Sequence, residues 1–180
     1  KFAYGYRCEL ELIQSWNRAY RSPEDQVTGK WSNEQIRLSE SVALSGRVDA
    51  KRHNMIFEIK GRTQGLTQGP PRQCDILQLH AYMHMHQQGQ GVIVEVARLD
   101  ESNMFHREIA TNFSPELWKR VVSSLERLAN FVTEMRESRW LRHSFSANKA
   151  SVQSRMLKDL VAFEWPSSGS ACKRNRMSEN

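Results

Sequence analysis

Three side chains in the segment "SGRVDAKRHNMIFEIKGR" (residues 45–62) are of the kind that could carry out metal-assisted hydrolysis: Asp49, Glu58 and Lys60. Apolar and charged residues alternate on both arms of this segment, with a basic turn between them, which reads as a β-hairpin. A two-residue turn at Arg52–His53, or a four-residue turn over 51–54, sets Asp49 opposite Ile56 and Ala50 opposite Met55. Opposed residues share a face and side chains alternate along each strand. Asp49, Ile56, Glu58 and Lys60 then lie on one face, with Val48, Ala50, Met55, Phe57 and Ile59 on the other. The second set is apolar and must be core. The first brings two carboxylates within about 7–8 Å, measured between Cβ atoms, on a diagonal. A hard divalent cation takes one or two carboxylates and keeps water in its remaining positions. It can lower the pKa of such a water and offset charge building on a phosphorus, and an ammonium two residues from Glu58 can orient the attack. The same alternation also describes the wet side of an ordinary hairpin, and the hairpin alone leaves both readings open.

The surrounding elements are those needed to hold such a pair. Residues 4–20 carry Leu10, Ile13, Asn17 and Tyr20, with Glu9 and Trp16 on an adjoining stripe, and predict an amphipathic helix. "QIRL" predicts a short strand turning at 39–41, and Val42 to Ala50 predict one long strand leading into the hairpin. The Gly-, Gln- and Pro-rich loop "GRTQGLTQGPPRQ" precedes a helix over 74–87, and "GVIVEVARL" predicts a central strand covered on both faces. "MFHREIA" can pair with it through "DESN". A long helix follows, with Ser114 as cap and Pro115 at its first position, and a second helical stretch spans about 148–163. The expected architecture is a mixed α/β (α+β) fold, a central sheet flanked by helices. A single domain is expected over 1–165, with 166–180 a disordered basic tail.

The composition fits this reading. The chain has 180 residues, 39% of them hydrophobic and 26% charged, with a net charge of +6. That balance favours a polyanionic partner, nucleic acid first. No apolar run is long enough to span a membrane. The chain opens on Lys1 without a secretory leader, as expected of an excised domain. Cys8, Cys74 and Cys172 are odd in number and widely separated, which argues against a disulfide framework and for an intracellular, reducing compartment.

The helix over 74–87 places Gln78 and Tyr82 four residues apart on one face. The whole pattern is Gly46-x-Val48-Asp49, eight residues, Glu58-Ile59-Lys60, a loop, then Gln78-Leu79-x-x-Tyr82. It resembles the PD-(D/E)XK nuclease superfamily, and within it the RecB-type and lambda-exonuclease-like branch, over about residues 5–98. The resemblance implies a restriction-endonuclease-like αβββαβ core that hydrolyses DNA, or alternatively RNA, with one or two Mg²⁺ or Mn²⁺ ions. Asp49 and Glu58 match the metal-binding carboxylates, the carbonyl of Ile59 the backbone ligand, and Lys60 the catalytic lysine. Gln78 and Tyr82 match helix residues that position substrate and site. Glu9 is the choice for the glutamate the family often adds from its first helix, and Glu11 is the alternative. Many relatives carry a His in that helix, whereas none occurs here in residues 1–20. Four thiolates for an iron–sulfur cluster are not available, so none is expected.

Other groups have plainer readings. Arg62 and Arg72 bound the Gly-rich loop at the mouth of the implied cleft, and Arg47, Arg52, Lys51 and His53 flank the hairpin. All could meet backbone phosphates or serve surface solubility. His80, His84 and His86 are read as packing or solvated side chains, with no third ligand obviously placed to make a zinc site. Two other functions share the core: an RNA-cutting endonuclease of viral-polymerase type, against which Gln78 and Tyr82 argue, and a binding module without activity, against which the intact Asp49, Glu58 and Lys60 argue.

Overall fold

The β-branched run Val92-Ile93-Val94 sits in β5 (Gln90–Arg98), and both of its faces are buried, as its composition demands. Beside it in parallel register lies β4 (Met55–Gly61), with Ile56 opposite Gly91, Glu58 opposite Ile93 and Lys60 opposite Glu95. A parallel pair needs a long crossover, and α2 (Gln73–Met85) supplies it. β3 (Ala50–Arg52) joins the free side of β4 and β6 (Met104–Asn112) the free side of β5, both antiparallel, to give the order β3-β4-β5-β6. β1 (Glu34–Arg37) and β2 (Ala43–Gly46) form a separate antiparallel ladder. The computed structural model describes residues 2–19, 34–63, 65–66, 68–98 and 104–160, and divides into two compact units, Lys1–Trp118 and Lys119–Asn180.

The two sheet faces carry different helices. Phe57, Ile59, Val92, Val94, Val96 and Ala50 pack with Cys8 and Leu12 of α1 (Phe2–Ala19), and Trp16 lies 5.3 Å from the Phe57 ring. Ile56 and Ile93 pack with Leu79, Tyr82 and Met83 of α2. The fold is thus the expected mixed α+β arrangement, a sheet with helices on both faces. The core-facing stripe of α1 is the buried Cys8 and Leu12 with the partly buried Ile13 and Trp16; Leu10 is exposed.

Three local expectations are corrected. The long strand from Val42 to Ala50 is two strands, β2 and β3, interrupted at 47–49. The hairpin turn is His53–Asn54, so Ala50 faces Phe57 rather than Met55. His53 accepts φ +49°, a left-handed conformation that lets two residues close the twisted strands. The register moves by an even number, so the predicted faces of β4 survive; an odd slip would have exchanged them. Val48 packs on the α2 face with Ile56 and Leu79, because it lies in the interruption, where strand alternation no longer applies.

α3 (Pro115–Glu137) starts as predicted, the Leu117 amide donating to Ser114 Oγ at 3.2 Å. In the second unit, α4 (Arg139–Ala147) was not foreseen and precedes α5 (Ala150–Leu160). Ser138 accepts from the Leu141 amide and so starts a new helix, while Phe145 meets Phe131 at 5.7 Å. Among the described residues, no helix is long and apolar enough to cross a membrane. The "DESN" turn, the end of the predicted 148–163 helical stretch and the tail 166–180 lie outside the described residues.

The approach of α2 to β5 depends on Gly91. A Cβ there would stand 2.7 Å from Leu79 Cδ1 and 3.0 Å from Met83 Sδ. Gly91→Ala is expected to cost about 1–3 kcal/mol by overpacking, measured as a lower midpoint in urea unfolding.

Candidate active site

β4 turns Ile56, Glu58 and Lys60 toward α2, and the buried Ile56 closes one end of that row. Glu58 is 1% exposed. Asp49 stands where the β3 ladder stops. Its Oδ2 accepts the Ile59 amide at 2.8 Å, so a side chain replaces the backbone partner that the interrupted strand no longer offers. The Lys60 ammonium pairs with Glu58 Oε1 and donates to Gln78 Oε1 at 2.8 Å. Gln78 Nε2 donates to the Tyr82 hydroxyl at 2.9 Å, and that hydroxyl bonds to the Arg47 backbone. One hydrogen-bonded row therefore runs from Glu58 through Lys60, Gln78 and Tyr82 back to the residue two before Asp49. Four-residue spacing on α2 aligns Gln78 with Tyr82.

The electrostatics are those of crowded acids. Burial, and then the charge of Asp49, pushes Glu58 up to about 8 against the pull of Lys60. Burial also raises Asp49, with the Ile59 amide, Lys60 and Arg47 opposing. Glu9 is pushed up to about 7 by burial and by Asp49, with Arg47 and Lys60 acting in the opposite sense. Burial pulls Lys60 down, but Glu58, Asp49 and Asp75 outweigh it and hold the ammonium above its ordinary value. Asp49 and Glu58 are close enough to share a proton. As carboxylates neither has one to give, and among the described residues Glu58 Oε2 is buried with no hydrogen-bond partner.

That buried oxygen fits a cation. An unsatisfied carboxylate oxygen is costly inside a protein, and a hard divalent ion is the partner its chemistry suits. Among the described residues, no group of three or more His, Cys, Asp or Glu side chains is placed to hold a metal ion. An ion held by Asp49 and Glu58 would complete its sphere with water and substrate oxygen, as Mg²⁺ usually does.

The structure brings together Asp49, Glu58, Lys60, Gln78 and Tyr82, and Glu9 on α1 feels the charges of Asp49 and Lys60. Ile59 joins through its amide and Arg47 through its backbone and charge. Arg72 is exposed immediately before α2. Arg52 lies at the other end of the hairpin and, with His53, Met55, Phe57 and Gln90, lines a cavity of about 390 Å³. Arg62 turns inward, its side chain 9% exposed, against Asp75 and Glu95. His80 and His84 pack: the His80 Nδ1 lies 2.9 Å from the Ile76 carbonyl, and His84 stacks on Trp118 at 4.7 Å.

Sequence reasoning passed over Asp75, Glu95 and Arg107. The available signal was Glu95 itself, a lone acid inside "GVIVEVARL". An acid in a strand covered on both faces has to be paired. The glycine of the Gly46-x-Val48-Asp49 pattern also acquires a physical reason, since a Cβ at Gly46 would lie 2.5 Å from Tyr82 Cε1.

No family model matches the sequence, and no curated protein matches it. Among solved structures, one described as "Crystal structure of SSO0001" aligns with 73% of this chain and 58% of its own, at 18% identity and a TM-score of 0.48. This chain therefore spans less than two thirds of the length of that protein.

Two outcomes are expected. Glu58 holds its proton more tightly when folded than when unfolded, about 8 against 4.5. Between those values the unfolded chain binds fewer protons, so stability falls as pH rises through the window and levels off above it. Thermal melts in EDTA from pH 5 to 8 should show the midpoint dropping by several degrees, and Glu58→Gln should flatten the drop. Gly46→Ala should push the Tyr82 ring aside, seen as an altered Tyr82 ring signal by NMR.

Proposed function

We propose that this protein is a divalent-metal-dependent deoxyribonuclease of the PD-(D/E)XK type, an exonuclease or an enzyme that trims ends and flaps. The observation that carries the reading is the row Glu58–Lys60–Gln78–Tyr82 beside Asp49, with Glu58 Oε2 left over. Residues chosen by spacing and scattered over 34 positions of sequence, Asp49 to Tyr82, fall into one network. The net charge of +6 favours a polyanion.

Asp49 and Glu58 would hold Mg²⁺ or Mn²⁺ between them, with Glu9 close enough electrostatically to help neutralise it. The bound ion would supply a water of lowered pKa and offset the charge that grows on the phosphate. Lys60 is protonated, so it orients the incoming water and steadies the pentavalent phosphorus rather than taking a proton. Gln78 fixes the Lys60 ammonium by accepting one of its hydrogens, and Tyr82 fixes the Gln78 amide in turn. Attack would be in line: the water oxygen bonds to phosphorus and gives its proton to solvent, while the opposite ester oxygen leaves and is protonated from solvent. The Gln78–Tyr82 pair favours this over the RNA endonuclease reading.

Digestion of matched fluorescent single-stranded DNA and RNA, with Mg²⁺ or Mn²⁺, tests this. DNA should be cut, and Asp49→Ala and Lys60→Ala should each lose about 100-fold or more in kcat. Equal rates in wild type and both variants would remove the mechanism, and binding without cleavage would mark a module that does no chemistry. In parallel, Mn²⁺ should raise the thermal midpoint of the wild type at pH 8 by mass action on the folded state, and should not raise that of Asp49→Ala.

A further inference from the structure

Two glutamates are buried to 1% exposure on the α2 face of neighbouring strands, and they are treated oppositely. Glu58 keeps an oxygen without a hydrogen bond among the described residues. Glu95 is saturated. Its Oε1 accepts Arg62 Nε at 2.9 Å and Arg62 Nη2 at 2.6 Å, and its Oε2 accepts Arg107 Nε at 2.5 Å. Arg62 Nη2 also donates to Asp75 Oδ2 at 2.5 Å, and Arg107 Nη1 donates to the Gly69 carbonyl at 2.9 Å. Two guanidiniums and two carboxylates thus form a neutral cluster. Strand register sets Lys60, Glu95 and Arg107 in one rung across β4, β5 and β6.

We propose that this cluster is a clamp that positions the Lys60 ammonium through Gln78, with Arg62 as its central positioning residue, and that Arg62 does not contact nucleic acid. The proposal rests on the functional reading above for its kinetic consequence only. The geometry runs through α2. Arg62 follows β4 directly and is tied to β5 by its own amide, which donates to the Val96 carbonyl at 2.7 Å. From that fixed point its guanidinium holds Asp75 in the first turn of α2. Gln78 comes three residues later, one helical turn on, and accepts from Lys60. A shift or rotation of α2 relative to β4 would pull Gln78 Oε1 from the ammonium. Arg107 adds a strap from β6 to the 62–72 loop through the Gly69 carbonyl. A planar guanidinium can bridge two carboxylates at fixed angles, whereas a lysine in its place keeps the charge and loses the bridge.

Arg62→Lys tests the proposal with two readouts. The first needs no activity: the side-chain amide signal of Gln78 in NMR spectra, assigned by its loss in Gln78→Ala. It should shift and exchange faster with solvent in Arg62→Lys, and stay in place in Arg155→Lys, a control on exposed α5. An unchanged Gln78 signal in Arg62→Lys overturns the clamp. The second is a double-mutant cycle in DNA digestion. Arg62→Lys alone should lower kcat about tenfold with KM near wild type, and in the Gln78→Ala background it should cost less than about twofold. Additive losses overturn the route through Gln78. A raised KM with kcat intact makes Arg62 a phosphate contact and equally overturns it. If the wild type cuts no DNA, the proposed function fails and the Gln78 signal still decides the clamp. If Arg62→Lys does not fold, Arg107→Lys takes its place, with the same signs expected.

Discussion

Everything around the candidate site follows from the burial of Glu58. A carboxylate at 1% exposure, on the face of a sheet covered by a helix, demands compensation. Lys60 supplies part of it from the same strand. Asp49 makes the demand greater, because a second acid stands beside the first and both resist ionisation. The protein tolerates that cost at one place on this face, and it holds the surrounding side chains by directed hydrogen bonds to backbone and amide groups. Concentrating acids and leaving an oxygen over costs stability at this place, and on the proposed reading a bound cation would offset that cost.

The two buried glutamates show how the same residue type serves two ends. Glu95 lies between two arginines, with both oxygens engaged, and its carboxyl is held below the usual range, hydrogen bonds from Arg107 and Arg62 overcoming the upward push of burial. Glu58 has one lysine and a neighbouring acid, and is pushed the other way. Two register positions separate them in the sheet, Glu58 lying opposite Ile93 and Glu95 opposite Lys60. The contrast arises from what each strand end meets: Arg62 and Arg107 reach Glu95, whereas Glu58 faces Asp49 where β3 has broken off.

A continuous strand from Val42 to Ala50 would have given the Ile59 amide an ordinary backbone partner and left Asp49 on the regular pleat, opposite Glu58. Instead the chain leaves the ladder at 47–49, Val48 drops into the α2-side core, and Asp49 caps the Ile59 amide with its side chain. Gly46 lets the Tyr82 ring lie against the end of β2. The helix that carries Gln78 and Tyr82 can then seat on the same face as Glu58 and Lys60.

Much of this was legible in the sequence. Period-two alternation assigned Ile56, Glu58 and Lys60 to one face of β4, and the spacing of Gln78 and Tyr82 assigned them to one face of a helix. These are local periodicities, fixed by backbone geometry whatever the surroundings. The face assignment even survived a wrong turn, because the error in register was even. What the sequence could not display was anything that depends on one strand ending beside another. The interruption at 47–49, the choice of His53–Asn54 as the turn, the saturation of Glu95 by Arg62 and Arg107, and the inward turn of Arg62 are all settled by long-range packing. An arginine in a Gly-rich loop looks the same in sequence whether it meets solvent or a buried acid 33 residues away, and only the assembled sheet brings that acid within reach.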